Sequence, residues 1–418
     1  MKKLYLFTSV FPYGLTGEAF IEPELQYLLR EFNLTIVTCA SENEMQGVKR
    51  KLPDEVSIVH LKDRLSKVQK IQFLLCNSFQ PMLWKELFYS VKSKKKLLLK
   101  WKEIVGFYIM AKNIEYQIAE LGLAENSDNS MFYTYWNSYQ ALALLFLKEK
   151  NSELKVVSRI HGYDLYKERT NSGWQPFKQY MGNTLNGLFF ITETAKQYFI
   201  RTYLEGQPGS RLYVCRLGVP QKEARPKKLE GSSFHLVSCS NVISLKRVGL
   251  IVDALALCSK DICVKWTHFG DGIQMPDIKE QIRSKLLQKS NIEVSLKGYV
   301  EHKSIMRFYD ENFVDCFLST SSSEGCPVSI QEAVSYGIPV IATNVGGVSE
   351  LINGNGILLK ADPTAAEISS SIETMYYASE EQVKKWRQAS FECWAKRFDA
   401  DKNYREFVEI VRKIANKG

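Results

Sequence analysis

No stretch of this 418-residue sequence reaches the ~18 consecutive apolar residues that a spanning helix needs, so no transmembrane segment is expected. Repeats at a period of roughly 20–50 residues and low-complexity tracts are also missing, which excludes solenoids and disordered linkers as its main content. Nine cysteines form an odd count without a C-x-x-C pair and lie mostly inside apolar runs, so they read as reduced core thiols and not as a zinc site. The opening "MKKLYLFTSVFPYG" is basic and briefly apolar, but no small-residue cleavage site precedes Pro12 and Glu18 follows soon after. A first strand at 4–7 is expected in place of a secretory signal, in a soluble cytoplasmic protein.

What is present is ordinary in bulk, with 45% hydrophobic and 24% charged residues. Its charge is uneven. Between 64 and 112, eleven Lys and Arg stand against Glu86 and Glu103, an excess equal to the net +9 of the whole chain. This stretch is also rich in aromatic and aliphatic residues ("SVKSKKKLLLKWKEIVGFYIM"), as in a basic amphipathic segment on an anionic membrane surface. A solvated helix with snorkelling lysines fits as well, and both readings stay open. Nucleic acid is not expected as a partner, since no recognised nucleic-acid-binding signature accompanies the charge.

Short β-branched runs alternate with helical stretches, which predicts parallel α/β architecture. They fall at 4–7, 34–38, 56–60, 132–136, 155–161, 187–192 and 212–218, then at 234–240, 264–270, 292–298, 314–319 and 339–343. The polar, Pro- and Lys-rich 219–232 between the two sets reads as a linker. Two doubly wound domains are therefore expected, 1–220 and 221–398, with ligands at the carboxyl ends of their strands in the cleft between them. Residues 399–418 carry an apolar helical stripe (Tyr404, Phe407, Val408, Val411, Ile414) that requires a surface to cover it.

The most informative segment is "SSSEGCPVSIQEAVSYGIPVIATNVGG", 321–347. The strand 314–319 leads into a turn at Glu324, Gly325 and Cys326; Pro327 suits the first position of a helix to about Tyr336, which Gly337 stops. Glu332 then lies five residues past Pro327, roughly 7.5 Å further along the axis. That is too far for the pair of carboxyl groups, about 5–5.5 Å apart, of a retaining glycosidase. Carboxylates repel phosphate but accept from hydroxyl groups, while backbone N–H groups at a helix start suit an anion. A nucleotide-sugar has hydroxyls, phosphates and a ribose diol in that order, which places Glu324 at the sugar and Glu332 at the ribose. Spacing alone fits an ordinary loop acid and a surface helix residue equally well.

The surrounding residues add to this. "EGCPVSIQEA" followed by "GIPVIATNVGGVSEL" resembles the retaining glycosyltransferases of family four, which share the GT-B fold: two Rossmann-like domains facing each other across a cleft, with a C-terminal helix packed back on the first. "SCSNVISLKRVGLIVDAL" (238–255), "FGDG" (269–272) and "LKGYV" (296–300) are similar to further donor-domain segments of the family. "FPYGLTGEAFIEPEL" (11–25), "RIHGYDLY" (159–166) and "RLGVP" (216–220) are similar to first-domain ones.

The resemblance implies that 1–220 binds the acceptor and 221–398 the nucleotide-sugar donor, and it implies roles for individual residues. Glu324 and Glu332 would keep the sugar and ribose roles reached above. Lys246 would neutralise the departing diphosphate. Most of the family has Arg where this chain has Asn241, which brings no charge and no fork, so either Arg247 or another cation compensates or turnover is slow. Gly270, Gly298, Gly325, Cys326 and Pro327 would border the donor, with Cys326 in place of a frequent aromatic. His161 would touch the donor sugar or the reacting centre, with Asp164 orienting its loop; His60, His235, His268 and His302 read as core or surface residues. Gly14 and Gly17 would let backbone approach phosphate or acceptor, and Gly346–Gly347 is a further anion-binding turn or a plain one.

The implied reaction moves a sugar from a nucleoside diphosphate donor, UDP favoured, to a glycan or lipid-linked glycan in surface polysaccharide synthesis. Configuration would be retained by front-face departure. No cofactor and no metal are expected, on the reading that no Asp-x-Asp motif is present and that the helix dipole and Lys246 do the charge work. The 64–112 stretch could hold the protein at the inner face of the plasma membrane. The competing reading is a non-catalytic GT-B partner subunit, for which Asn241 speaks; a third is a phosphorylase or epimerase of the same fold, the former marked by a pyridoxal Schiff base.

Overall fold

A computed structural model describes the chain except residues 15–17, 19, 63–64, 78–79, 92–94, 126, 208, 210, 223–225, 227, 229–230, 232 and 418. Gly17, Arg64, Lys92, Lys94 and much of the 219–232 linker therefore lie outside the described residues. The chain divides into two compact units, Met1–Cys215 with Tyr404–Gly418, and Arg216–Asn403.

In unit 1 the strands are β1 (Lys2–Thr8), β2 (Phe32–Thr38), β3 (Ser57–His60), β4 (Ser130–Thr134), β5 (Lys155–Ile160), β6 (Gly187–Phe190) and β7 (Leu212–Val214). They form a parallel sheet in the order β3-β2-β1-β4-β5-β6-β7. β1, β4 and β5 are central, and their side chains are buried almost throughout, as continuous apolar strands covered on both faces should be. The terminal helix Ala400–Asn416 supplies part of that cover from Tyr404 onward: Tyr404 meets Tyr27 at 5.5 Å, and Phe407 meets Phe189 at 4.9 Å and Tyr133 at 5.3 Å. Its apolar stripe is thus buried on the first unit.

Unit 2 contains β8 (Phe234–Cys239), β9 (Val264–Phe269), β10 (Ile292–Leu296), β11 (Cys316–Ser319), β12 (Val340–Thr343) and β13 (Gly356–Leu359), parallel in the order β10-β9-β8-β11-β12-β13. In both units the chain starts mid-sheet, runs to one edge and returns to the other side, the doubly wound topology whose switch point lies at the first strand's carboxyl end. All twelve strands read from the sequence are present. β13 is an addition to the runs read from the sequence, and it lies close enough to β12 that a Cβ on Gly356 would be 1.9 Å from the Val340 carbonyl oxygen.

Two details correct the sequence reading. Pro327 (φ −65°, ψ 120°) caps the helix Val328–Ser335 from outside its first turn. An Asp-x-Asp spacing does occur, at Asp399-Ala400-Asp401, and it starts a helix: Asp399 Oδ1 accepts from the backbone N–H of Asp401 (2.9 Å) and Lys402 (3.4 Å). Among the described residues, no helix is long and apolar enough to cross a membrane.

Candidate functional site

In unit 2 the candidate residues gather at the carboxyl ends of β8, β9 and β11. The loop after β8 is held in place by its neighbours. Val242 N–H donates to the Asp271 carbonyl (2.9 Å), and Gly270 N–H to the Gly298 carbonyl (2.8 Å). A Cβ on Gly270 would lie 1.9 Å from the Ser240 carbonyl oxygen, and one on Gly272 2.4 Å from that of Val242. The glycines of "FGDG" thus serve close backbone approach, letting the loop that carries Asn241 and Lys246 lie on the β9 turn. Asn241 is exposed.

From this loop Lys246 Nζ donates to Glu324 Oε1 at 2.5 Å, while the Glu324 side chain is buried. Arg247, in the left-handed region at φ +49°, reaches the strand ends: its Nε donates to the Thr320 carbonyl (2.7 Å), and its guanidinium also meets the Ala361 carbonyl (2.8 Å) and Asp362 (2.7 Å). Every terminal group of Arg247 is committed to protein, so it braces the loop in place of supplying the cation that Asn241 lacks. The Gly-Gly turn fixes Glu324 from the other side: Gly347 N–H donates to the Gly325 carbonyl (2.8 Å), and a Cβ on Gly346 would lie 1.8 Å from the Glu324 carbonyl oxygen. Cys326 is buried, with Gln331 Nε2 3.2 Å from its sulfur, and burial raises its thiol pKa.

Glu332 is buried on the helix and paired with His302 Nε2 at 2.6 Å. His302, read from sequence as an unremarkable residue, is thus the side chain that competes for the candidate ribose carboxylate. Its only sequence signal is its place just past "LKGYV". Cys239 at the end of β8 also faces this group; burial, with Glu332 nearby, pushes its thiol up to about 12.

In unit 1, His161 follows β5 and starts the short helix Gly162–Leu165. Asp164 orients the turn as expected, accepting from His161 N–H (2.6 Å) and Asn137 N–H (2.7 Å). The imidazole lies 4.7 Å from the Tyr135 ring and 4.7 Å from that of Trp136, and its Nε2 is buried with no hydrogen-bond partner among the described residues. Burial, then the Arg159 guanidinium, lowers its pKa to about 3, so the ring is neutral at pH 7. Gly14 needs glycine for its φ of +75°, but its N–H is committed to the Val48 carbonyl (2.9 Å) and its carbonyl to Arg50, which removes it as an amide donor to phosphate.

The neutral His161 sets a pH dependence. Its folded pKa lies below the ordinary 6.5, so its contribution to stability is complete above 6.5 and is lost as pH falls toward 3. Asp164, raised by burial to about 6, opposes this between 6 and its ordinary 3.8, because there the folded state holds the extra proton. His161→Gln is expected to remove close to one proton from the uptake on unfolding at pH 5, about 1.4 kcal/mol per pH unit in the slope of unfolding free energy. An unchanged slope would mean that the ring titrates normally.

Residues 233–376 match the family model described as Glycosyl transferases group 1. The chain carries a group 1 glycosyltransferase domain. Over 341 residues it is 25% identical to the GtfA subunit of the UDP-N-acetylglucosamine–peptide N-acetylglucosaminyltransferase of Streptococcus agalactiae, covering 78% of this chain and 62% of that protein. It is 24% identical to the amylovoran biosynthesis glycosyltransferase AmsK of Erwinia amylovora over 221 residues, 50% of this chain and 53% of the relative. The chain thus spans somewhat over half the length of these relatives. Anabaena HepE, solved with UDP and glucose, superposes with a TM-score of 0.66 at 15% identity, over 99% of this chain and 100% of that one. The two Rossmann-like units are those of the GT-B fold.

Proposed function

We propose that the group 1 domain serves a retaining transfer of a sugar from a UDP-sugar to a hydroxyl of a glycan or lipid-linked glycan, in surface polysaccharide synthesis. The observation that carries this reading is the Lys246–Glu324 pair, a cation and a buried carboxylate 2.5 Å apart at the strand ends of that domain. When donor enters, Lys246 turns to the diphosphate and compensates the charge that grows as the glycosidic bond breaks. Glu324 is then released to accept from sugar hydroxyls. Glu332 exchanges His302 for the ribose diol. His161 is the candidate of unit 1, and its neutral ring would bring no competing charge to a sugar. The departing phosphate takes the acceptor's proton on the same face, which retains configuration and requires no metal. UDP is favoured because HepE was solved with it and GtfA is named for a UDP-sugar.

The test is release of UDP, GDP or ADP from a panel of nucleotide-sugars in the presence of chelator, with and without a membrane glycolipid extract. Acceptor-stimulated release from one donor supports the reading. Donor binding without release across a broad acceptor panel supports the second reading, a non-catalytic partner subunit. Asn241 favours that alternative, since the exposed amide brings no charge and Arg247 is fully engaged elsewhere.

We also infer attachment to the inner face of an anionic membrane through unit 1. On the helices Pro81–Val91 and Leu97–Glu120, Phe88 and Leu98 are 72% and 81% exposed, beside Lys85, Lys95 and Lys102 at the surface. Lys100 differs, being buried with its Nζ 5.3 Å from the Trp174 ring centre. Charge reversal at Lys95, Lys96 and Lys102 is expected to weaken binding to phosphatidylserine-containing vesicles by about a hundredfold or more, at about 1 kcal/mol per lost cation, read by sedimentation. Binding that is unaltered would remove this inference.

A further inference from the structure

Unit 1 contains a cavity of about 670 Å³ to which the reaction above assigns no part. Glu103 and Phe107 reach it from the helix Leu97–Glu120, Trp136 from the segment after β4, and Tyr163 and Trp174 from the segment after β5. Both indoles are pinned by carboxylates. Trp136 Nε1 donates to Glu18 Oε1 (2.6 Å), and Trp174 Nε1 donates to Glu86 Oε1 (3.0 Å). Glu18 is itself immobilised, accepting from the backbone N–H groups of Ser9 (2.8 Å), Val10 (2.8 Å) and Phe11 (2.7 Å). Glu86 also accepts from Phe177 N–H at 3.0 Å. With their single donors satisfied, the two indoles present only rigid carbon surface, which a ligand can cover without first ordering it.

The polar part of the wall has one sign. Glu18, Glu103 and Asp164 line the cavity, and no Lys, Arg or His does among the described residues. Glu18 is saturated, and Asp164 is engaged by His161 and Asn137. Glu103 accepts from Ser172 Oγ through Oε2, which leaves its other oxygen with lone pairs to offer. Aromatic faces attract the weakly positive C–H bonds on the flat side of a sugar ring, and a carboxylate accepts strongly from its hydroxyls. Lys178 opposes the charge of Asp164 from behind the wall and Lys100 lies 5.3 Å from the Trp174 ring centre, so the repulsion of a phosphate or uronate falls to Glu18 and Glu103.

We propose that this cavity holds an uncharged sugar ring of the acceptor, with its C–H face on Trp174 and Phe107 and a hydroxyl on Glu103, and that it rejects acidic sugars. The proposal rests on the glycosyl-transfer reading but makes its own demand on binding. The test is saturation-transfer NMR titration of the full chain, without nucleotide-sugar, using methyl glycosides of glucose, galactose and N-acetylglucosamine against methyl glucuronide and glucose 6-phosphate. Saturable binding of a neutral glycoside and none of the acidic ones is expected. Trp174→Leu and the isosteric Glu103→Gln should each weaken that binding by about tenfold. Binding of acidic sugars as tight as the neutral one, neutral binding unchanged in both variants, or no binding by the panel would each overturn the proposal. Nucleotide release in the Lys246 and Glu324 variants tests the transfer reading separately, so either can fail without the other.

Discussion

Lys246→Ala is expected to lower nucleotide release from the donor by about 10²–10³-fold, the usual loss when a group aimed at developing charge is removed from a site. The reduction should fall on kcat and kcat/KM together, because the ammonium is paired with Glu324 before reaction and its gain comes as the diphosphate leaves. Lys246→Arg should restore little. Arg247 next to it already fills the space near the Thr320 and Ser321 carbonyls, and a planar fork does not replace a compact charge at 2.5 Å from a carboxylate. Lys246→Ala also leaves Glu324 buried without its cation, so part of any loss could come from a disturbed turn. Lys246→Met with Glu324→Gln removes both charges, and thermal stability separates the two causes: if the turn is disturbed, Lys246→Met loses stability that the double variant recovers. If Lys246 acts on the leaving group, Lys246→Met is slow even where its stability equals that of the wild type. Release at the wild-type rate in Lys246→Ala would end the proposed mechanism.

The strands that carry this site were legible in the sequence because each is a short apolar run closed by a turn. So was the order of groups along "EGCPVSIQEA", since a strand, a turn and a helix of fixed rise leave Glu324 and Glu332 little freedom. What the sequence did not show is who meets whom. His302 is 30 residues from Glu332 and bonds it because the start of the helix His302–Glu311 comes beside the helix Val328–Ser335; no periodicity reports that. Arg247 reads as a donor cation by its neighbour Lys246, and a left-handed backbone turns it instead onto carbonyls some 75 residues away. The glycines of "FGDG" were legible as a turn, but the reason for Gly270, contact with the Ser240 backbone, exists only in three dimensions. The +9 stretch hid two kinds of lysine, exposed ones and the buried Lys100 on Trp174, which one charge count adds together.

Arg159→Met is expected to destabilise unit 1 by about 3–5 kcal/mol, the range found when one partner of a buried ion pair is removed. Arg159 and Glu24 are both fully buried, joined by an Arg159 Nη1–Glu24 Oε2 ion pair, and the guanidinium lies 4.1 Å from the Phe407 ring centre on the terminal helix. The pair is incompletely satisfied: Arg159 Nε and Nη2 and Glu24 Oε1 have no hydrogen-bond partner among the described residues. Two charges so far from water cost more than one good contact returns, so adding Glu24→Leu should recover much of what Arg159→Met alone loses. Amide exchange on β1, β4 and β5 reads unit 1 apart from unit 2, which a single melting curve of a two-unit chain cannot do. Burial already raises the Glu24 carboxyl against the pull of Arg159. A raised folded pKa adds stability below the unfolded value that is lost as pH rises, so the deficit of Arg159→Met should shrink on acidification. Arg159 also helps to keep His161 neutral, two residues on, and its removal should raise the pKa of that ring, seen by NMR as protonation at a higher pH. A double variant no more stable than Arg159→Met would instead show that Glu24 is held by more than its arginine.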